Sequence, residues 1–438
     1  MKRYLTKLLL LCVWLAGVFL LGGCQLTTSV EELLTLPQLS LEYEGLSQQI
    51  DDLIARGYEY ASPTNGHNIQ SVQMVDLDGD GSDESVAFFR KNSDEKPLKI
   101  VVFHRQDSAY QPLCTLESSG TEVESVTYQD LTGDGIKEII VGWKISADVQ
   151  TVAAYKIQSQ PETLMRSNYV KFTIQPLSRK DTPDLVVLHS NEEGDSVAEL
   201  YNWDNDTMAV RSLCTLSSTM ADLNRGSITS GKLGKKTLAL YITGINDQNM
   251  AVTDILVSKK GNLVNLVENR HTGTSDLVYP YHQLLPQDID GDGAVEIPFS
   301  TLSPKAAQHD GLIAWKSYDA QGQGNWRLDT YHALSSGWYL TLSGDWHERI
   351  VAQASENGRD ESQVLIQVDG NDLAAIYIIS GENRENRAAQ GNRFILKRQT
   401  SQIYAAELFP DSDVYGMNET FLRKNFKLIM GNWTAMDN

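Results

Sequence analysis

Short apolar runs separated by polar turns fill most of the chain beyond its first 60 residues. One stretch shows the pattern, with runs at Ile69 to Val75, Ser85 to Arg90, Leu98 to His104 and Tyr110 to Leu116. Runs of this length, rich in β-branched and aromatic residues and bounded by polar turns, predict β-strands. The chain is therefore predicted to be all-β and built from units of four short strands.

Three nine-residue acidic segments repeat within this pattern: Asp76 to Glu84, Asp130 to Glu138 and Asp288 to Glu296. Each leads directly into an apolar run. The first two begin 54 residues apart, and the third begins 158 residues after the second, which is close to three such periods. Weaker copies of the unit are therefore expected between the acidic segments.

Four weaker copies complete the series: Pro176 to Asp184, Thr229 to Thr237, Leu340 to Glu348 and Phe394 to Gln402. The seven units have a period of about 53 residues, and a fixed period near 50 is typical of a propeller or a solenoid. Four strands per unit match one propeller blade. We therefore predict a seven-bladed β-propeller over residues 46–438, terminal closing elements included. A β-helix or a string of small sandwiches is the alternative.

The two ends of this region differ from the repeats. Ser47 to Arg56 places apolar residues on one helical face, and Gly57 follows as a stop. Asn418 precedes a second apolar pattern that runs to Trp433, which predicts another capped helix. We interpret both as short helices that flank and close the propeller. Either terminus can instead supply the strand that completes a final blade.

The N-terminus has the pattern of a secretory signal. Lys2, Arg3 and Lys7 precede the apolar run Leu8 to Leu21, which is shorter than the roughly 20 residues of a membrane-spanning helix. Two glycines and Cys24 follow. This ending resembles a bacterial lipobox, which implies cleavage before Cys24 and lipidation of its thiol. An ordinary secretory leader is the alternative.

These features divide the chain into a signal peptide at 1–23, a lipid-anchored tether at 24–45 and the propeller region. The predicted location is extracytoplasmic, on the bacterial cell membrane. Cys114 and Cys214 occupy matching phrases of two units, so we expect buried apolar thiols rather than a disulfide.

The formal charge is −20, from 37 basic and 57 acidic residues. An acid excess of this size argues against a nucleic-acid partner, because phosphate binding requires clustered positive charge. It fits a chain that gathers carboxylates around cations.

The acidic segments have the chemistry of a calcium loop. Carboxylates alternate along the first five positions of the first and third segments, whereas the second has Thr132 at position 3; all three have a carboxylate at position 9 and glycines that allow a tight backbone. Hard oxygen ligands in a flexible loop suit calcium. An EF-hand is excluded, because its bidentate Glu stands at position 12, where these loops have Ala87, Val141 and Phe299.

This arrangement resembles the calcium loops of FG-GAP or VCBS-type repeats, as in the β-propeller of integrin α chains. The resemblance implies up to three structural Ca²⁺ ions, bound by side chains at positions 1, 3, 5 and 9 and by the carbonyl at position 7. The implied ligands are Asp76, Asp78, Asp80, Ser82 and Glu84; Asp130, Thr132, Asp134, Ile136 and Glu138; and Asp288, Asp290, Asp292, Ala294 and Glu296. Thr132 removes one charge, so the second loop is expected to bind more weakly, and the four weaker copies are expected to be metal-free.

No nucleophile motif or zinc-ligand pair stands out, so the chain is not predicted to be an enzyme. We expect a calcium-stabilised binding module for a protein or glycan of the cell envelope, in a scaffold or adhesion role. The alternative is a polysaccharide-acting hydrolase or lyase with its active site at the channel mouth. Four tryptophans between Trp315 and Trp346 fit core packing, although aromatic platforms also stack sugars.

Overall fold

The computed structural model describes residues 41–429, apart from 107–108, 179–180, 235–236, 301–309, 357 and 359. The predicted signal peptide, Cys24 and nearly all of the tether lie outside the described residues. The chain divides into two compact units. The described part of the smaller unit is the chain up to Gly57 together with His104–Gln111, and the larger unit begins at Tyr58.

The smaller unit contains helix α1 (Leu41–Ala55), which begins six residues before the predicted helix. Leu46 and Ile50 are buried as the apolar pattern predicts, whereas Ile54 is 40% exposed. Gly57 has a φ of +86°, a left-handed conformation that suits glycine and ends the helix. The predicted amphipathic helix is therefore confirmed, with a narrower buried face.

The rest of the described chain is mostly β. It forms six sheets of four or five antiparallel strands and one two-stranded hairpin.

Sheet 1 contains β1 (Glu59–Tyr60), β2 (Val72–Val75), β3 (Glu84–Arg90), β4 (Leu98–Gln106) and β5 (Ala109–Ser118). Sheet 2 contains β6 (Glu122–Gln129), β7 (Glu138–Lys144), β8 (Gln150–Lys156) and β9 (Glu162–Asn168). Sheet 3 contains β10 (Lys171–Gln175), β11 (Asp184–Ser190), β12 (Ser196–Asp204) and β13 (Thr207–Thr215).

Sheet 4 contains β14 (Ser227–Leu233), β15 (Thr237–Ile245), β16 (Met250–Lys259) and β17 (Asn262–Asn265). The hairpin is β18 (Glu268–Asn269) and β19 (Thr274–Ser275), and β20 (Val278–Pro280) then returns to pair with β16. Sheet 5 contains β21 (Glu296–Ser300), β22 (Gly311–Tyr318), β23 (Gly324–Ala333) and β24 (Trp338–Thr341).

Sheet 6 contains β25 (Ile350–Glu356), β26 (Glu361–Val368), β27 (Asn371–Ser380), β28 (Phe394–Arg398) and β29 (Gln402–Leu408). The last strand, β30 (Phe426–Leu428), joins sheet 5 beside β24. The remaining α-helices are α2 (Met220–Arg225), α3 (Arg384–Ala388) and α4 (Glu419–Asn425), and 3₁₀ turns lie at Leu334–Ser336, Gly344–Trp346 and Ser412–Tyr415.

Consecutive sheets pack face to face, and each pair shares one apolar cluster. Sheets 1 and 2 meet around Phe88 and Trp143, and sheets 5 and 6 meet around Trp338 and Ile376. Three further clusters join sheets 2 and 3, sheets 3 and 4, and sheets 4 and 5. Sheets 2 to 5 therefore have a neighbouring sheet on both faces, which explains why runs such as Glu138–Lys144 are almost continuously buried.

The prediction of seven blades is not confirmed, because the last two predicted units do not form separate sheets. In the sixth unit β24 belongs to sheet 5 while β25 begins sheet 6, so the intervening loop connects two sheets. In the seventh, the hairpin of β28 and β29 adds to β27 in the same sheet 6. Spacing alone placed these units, because neither has an acidic segment to identify it.

The predicted C-terminal helix is present but short. Helix α4 is capped by the Asn418 side chain, whose Oδ1 accepts from the Phe421 N–H at 2.9 Å. The chain then becomes β30, so this terminus supplies a strand to a sheet, as the alternative prediction allowed. The two thiols are free: Cys114 is buried in β5 and Cys214 is half-buried in β13, which are the last strands along the chain in sheets 1 and 3.

Candidate functional site

The three acidic segments form loops of one shape. The glycines at positions 4 and 6 have φ between +75° and +88° in all three loops, which lets the backbone curl around its own first residue. In the first loop the Asp76 carboxylate accepts from the N–H groups of Gly79 at 2.7 Å and Gly81 at 3.2 Å. Asp130 and Asp288 accept from the equivalent glycines. The first carboxylate therefore organises each loop.

The glutamate at position 9 is buried at the base of each loop. Glu84 is 6% exposed, and Glu138 and Glu296 are fully buried. One carboxylate oxygen accepts from the N–H of the residue at position 2, at 2.8 Å for Leu77 and Leu131 and 3.3 Å for Ile289. Among the described residues, the other oxygen of Glu138 and of Glu296 has no hydrogen-bond partner.

Burial and the nearby negative charges make these three glutamates harder to ionise. Desolvation raises the pKa of all three, and the neighbouring aspartates raise it further. The pKa of Glu296 rises to about 7. A buried anion with a free oxygen beside other carboxylates is a position that a cation would stabilise.

Two of the three loops gather carboxylates from positions 1, 3 and 9. The groups are Asp76, Asp78 and Glu84, and Asp288, Asp290 and Glu296; each residue offers one oxygen, and the three oxygens of a group lie within 4.8 Å of one another. This spacing and donor set fit a hard divalent cation. The second loop has Thr132 at position 3 and therefore one carboxylate fewer.

The position-5 aspartates stand outside these groups and brace the loop instead. Asp80 accepts from Ser82 N–H at 2.7 Å, and Asp134 and Asp292 accept equivalently from Ile136 and Ala294. Binding of metal by any of the three loops stays a prediction, and that includes binding by position 5 and by the carbonyls of Ser82, Ile136 and Ala294.

Basic side chains pair with carboxylates of two of the loops, and no sequence pattern predicted these pairs. Lys156 lies 2.7 Å from Asp134, and the Arg327 guanidinium lies 2.7 Å from Asp290 and 2.9 Å from Asp292. In the part of the chain that the structure describes, no basic side chain pairs with the carboxylates of Asp76, Asp78 or Asp80. These three aspartates of the first loop therefore have no ion pair among the described residues.

Loops of neighbouring sheets lie side by side. Lys137 of the second loop donates through its backbone N–H to the Leu77 carbonyl at 2.7 Å and through its ammonium to the Asp76 carbonyl at 2.9 Å. In the same way Lys232 of sheet 4 donates its backbone N–H to the Gly293 carbonyl of the third loop at 2.9 Å. The first two acidic loops, from the adjacent sheets 1 and 2, are therefore in direct contact.

One weaker copy, Pro176 to Asp184, keeps a carboxylate at position 9 but has no aspartate at positions 1, 3 and 5. Asp184, at position 9 of the third unit, is fully buried, and its carboxylate accepts from both the N–H and the hydroxyl of Ser178 at 2.6 Å. Both of its oxygens are thus used by the protein. That the weaker copies are metal-free stays a prediction.

The tryptophans divide between core and surface. Trp315, Trp338 and Trp346 are buried in the packing of sheets 5 and 6, whereas Trp326 is 36% exposed. Its indole lies 4.3 Å from the His347 ring, measured between ring centroids, and its N–H donates to Asp329 at 3.0 Å. Core packing therefore accounts for three of the four.

Sequence reasoning missed a cavity of about 840 Å³ outside the acidic loops, in whose lining are Glu124, Tyr169 and Lys171. No motif marks these residues, because Glu124 lies on β6, Tyr169 in the connection from β9 to β10, and Lys171 on β10. In the described residues, no helix is long and apolar enough to cross a membrane.

Comparison with known protein families and with curated proteins finds no match. Among solved structures the chain is similar to a hypothetical protein from Leishmania major. The identity is 10%, the match covers 64% of this chain and 92% of that protein, and the TM-score is 0.23. A score this low carries no argument about fold or function.

Proposed function

We propose that this chain is a lipid-anchored, extracytoplasmic β-propeller that is stabilised by calcium and acts as a binding module, not as an enzyme. The observation that carries the calcium assignment is the convergence of three carboxylate oxygens within 4.8 Å in each of two loops, with a buried glutamate at the base. Such a group repels itself unless a cation enters, because its charges are close together and partly removed from water.

The propeller proposal is supported by the way consecutive sheets stack. Five apolar clusters join six sheets in chain order, and loops from adjacent sheets lie next to one another. Stacked four-stranded sheets with repeated connections are the organisation of propeller blades. The proposed blades are the six sheets, with β30 added from the C-terminal end.

The proposed extracytoplasmic, lipid-anchored location rests only on the sequence of residues 1–24. The mature parent chain should begin at Cys24 with a lipid on its thiol, and mass spectrometry of the N-terminal peptide should show the added mass, which Cys24→Ser should lack. A parent chain whose Cys24 carries no lipid would contradict the lipid anchor.

A role in binding is favoured over the hydrolysis of polysaccharide by the contents of the cavity. Glycosidases commonly use two carboxylic acids on opposite sides of the scissile bond. Among the described residues that line the cavity, Glu124 is the one carboxylic acid. A single carboxylate can accept hydrogen bonds from a ligand but does not make this pair.

The calcium proposal is tested by thermal unfolding of the full chain in EDTA and in calcium. Calcium bound only to the folded chain stabilises it by mass action, so the melting temperature should fall on chelation and recover when calcium is restored. Identical melting curves in EDTA and in millimolar calcium would overturn the assignment. Magnesium at the same concentration is the control, since it dehydrates reluctantly and needs near-octahedral geometry.

A further inference from the structure

The cavity lies where one edge strand from each of three consecutive sheets comes together. Its walls are β6, β10 and β14 of sheets 2, 3 and 4, and residues 65–68 complete the lining. A volume of about 840 Å³ is within the range of small-molecule sites, which run from roughly 300 to 1,000 Å³. The acidic loops do not contribute to this wall.

Glu124 is held in the wall by an irregularity of β6. The register of β6 against β7 shifts between Val123 and Ser125, so Glu124 is the extra residue of a β-bulge. The Tyr169 hydroxyl donates to one oxygen of Glu124 at 2.7 Å, and the Asn65 amide donates to the other at 3.4 Å. The carboxylate is therefore fixed in position, and its remaining lone pairs can accept from a ligand.

Gly142 on the neighbouring strand makes room for this arrangement. A Cβ atom at Gly142 would lie 2.5 Å from the Tyr169 hydroxyl oxygen, which is closer than real contacts allow. The absence of a side chain there lets the hydroxyl reach Glu124. The bulge, Gly142 and Tyr169 therefore hold the Glu124 carboxylate in a defined position as a hydrogen-bond acceptor.

Lys171 gives the same cavity a cation. Its neighbours Phe172 and Ile174 pack into the core between sheets 2 and 3, so the alternation of β10 places Lys171 and Thr173 on the opposite face of the strand. Within the described residues, no carboxylate lies within ion-pair distance of the half-buried Lys171 ammonium. Burial lowers the pKa of Lys171, and the charge of Glu124 opposes that effect.

An ammonium that has lost water and has no ion pair is stabilised when an anion enters the cavity. The rest of the polar lining consists largely of neutral hydroxyl and amide groups, among them Ser125, Thr127, Gln129, Thr173, Gln175 and Ser230. Groups of this kind exchange hydrogen bonds with hydroxyls.

We propose that the cavity binds an acidic sugar, with the sugar carboxylate against Lys171 and its hydroxyls against Glu124 and the neutral polar wall. This inference rests on the proposed binding function, whose ligand class it names. It depends neither on calcium nor on the lipid anchor.

The test is calorimetric titration of the full chain, with calcium present, in a detergent that has no sugar head group. The probes are glucuronate, glucose and acetate, with a dipeptide as the zwitterionic comparison. Glucuronate should bind at least tenfold more tightly than glucose, which has the hydroxyls without the charge, and more tightly than acetate, which has the charge without the hydroxyls.

Two substitutions of Lys171 separate charge from folding. Lys171→Met keeps the length of the side chain and should weaken glucuronate binding by tenfold or more, to the level of glucose. Lys171→Arg should keep the preference for glucuronate. Lys96→Met, on an exposed turn of sheet 1, is the matched control and should change nothing. Melting temperatures of all three should agree with the parent chain, so that a loss of binding is not a loss of fold.

Equal affinities for glucose and glucuronate, no binding of either, or full retention of glucuronate binding in Lys171→Met would each overturn the inference. Tighter binding of a dipeptide than of glucuronate would overturn it in favour of a zwitterionic ligand. These outcomes leave the proposed function standing if calcium still stabilises the chain and envelope material is still bound. Loss of the calcium response alone contradicts the calcium assignment and leaves the cavity result intact.

Discussion

Replacing Glu296 by Gln should have opposite effects on the calcium-free and calcium-bound chain. Glu296 is fully buried, and its pKa rises from 4.5 to about 7 through burial and through the charges of Asp290, Asp292 and Asp288. One pKa unit corresponds to about 1.4 kcal/mol, so the ionised carboxylate costs the calcium-free fold about 3 kcal/mol. Gln keeps an acceptor for the Ile289 N–H and adds an amide that can donate to the aspartates.

The direction of the pH dependence follows from this shift. Below pH 4.5 the folded and unfolded chains both carry the proton, so Glu296 does not affect the free energy of unfolding. Between pH 4.5 and 7 the unfolded chain ionises first, and stability therefore falls as the pH rises. Above pH 7 both states are ionised and the loss of about 3 kcal/mol is complete. Glu296→Gln should remove this fall in the calcium-free chain.

The assay is urea unfolding followed by tryptophan fluorescence, at pH 5 and pH 8, in EDTA and in calcium. In EDTA at pH 8 the Gln variant should be more stable than the parent by about 3 kcal/mol, and at pH 5 the difference should be much smaller. In calcium the parent should be as stable as the variant or more stable, because the variant loses a charged ligand. Glu192→Gln, on an exposed turn of sheet 3, is the matched control.

A Gln variant that is less stable than the parent in EDTA at pH 8 would refute the reasoning about the buried charge. A variant that gains as much stability from calcium as the parent would remove Glu296 from the ligand set.

Three further changes give separate expectations. Thr132→Asp supplies the missing carboxylate of the second loop and should raise its calcium affinity about tenfold, which a calcium titration measures; unchanged affinity would contradict the role of position 3. Trp338→Ala removes a fully buried side chain that packs against Phe426, and urea unfolding should show a loss of about 3 to 5 kcal/mol; a loss below 1 kcal/mol would contradict the tight packing of Trp338. Asn418→Ala removes the cap of α4 and should cost about 1 kcal/mol in the same assay, whereas no loss would mean that the cap is dispensable.

The strands and the acidic loops were predictable from sequence because their determinants are local. Apolar runs of strand length predicted β3 and β7, which are buried along nearly their whole length. Glycines at fixed positions between aspartates predicted a loop that folds around its own carboxylates, and Asp76 and Asp288 do accept from those glycines. In each case the spacing within one segment of chain sets the geometry.

The number of sheets was not predictable, because strand pairing in the last third of the chain is not local. The hairpin of β28 and β29 has the spacing of a separate unit but pairs with β27, and β30 crosses back to β24. Arg327 reaches the third acidic loop from a strand 35 residues further along. Such contacts depend on which edge strands are still unpaired after the sheets have stacked. The spacing of apolar residues along the sequence contains no information about this.

The cavity escaped sequence analysis for the same reason. Glu124, Tyr169 and Lys171 form no motif, and their arrangement depends on a β-bulge, on the space left at Gly142 and on the meeting of three sheets. A β-bulge adds one residue to a strand and changes the alternation of apolar and polar residues at a single step, which is too little to detect in the sequence.

Calcium in the acidic loops is the central claim, and direct measurement of bound metal tests it most directly. The full chain would be stripped with EDTA, dialysed against a buffer of known free calcium and assayed for metal by atomic spectroscopy, with a triple Asp76→Asn, Asp130→Asn, Asp288→Asn variant alongside. The account predicts up to three calcium ions per chain, the weakest at the second loop, and none above background in the variant. An equal calcium content in the two proteins, or none in either, would contradict it.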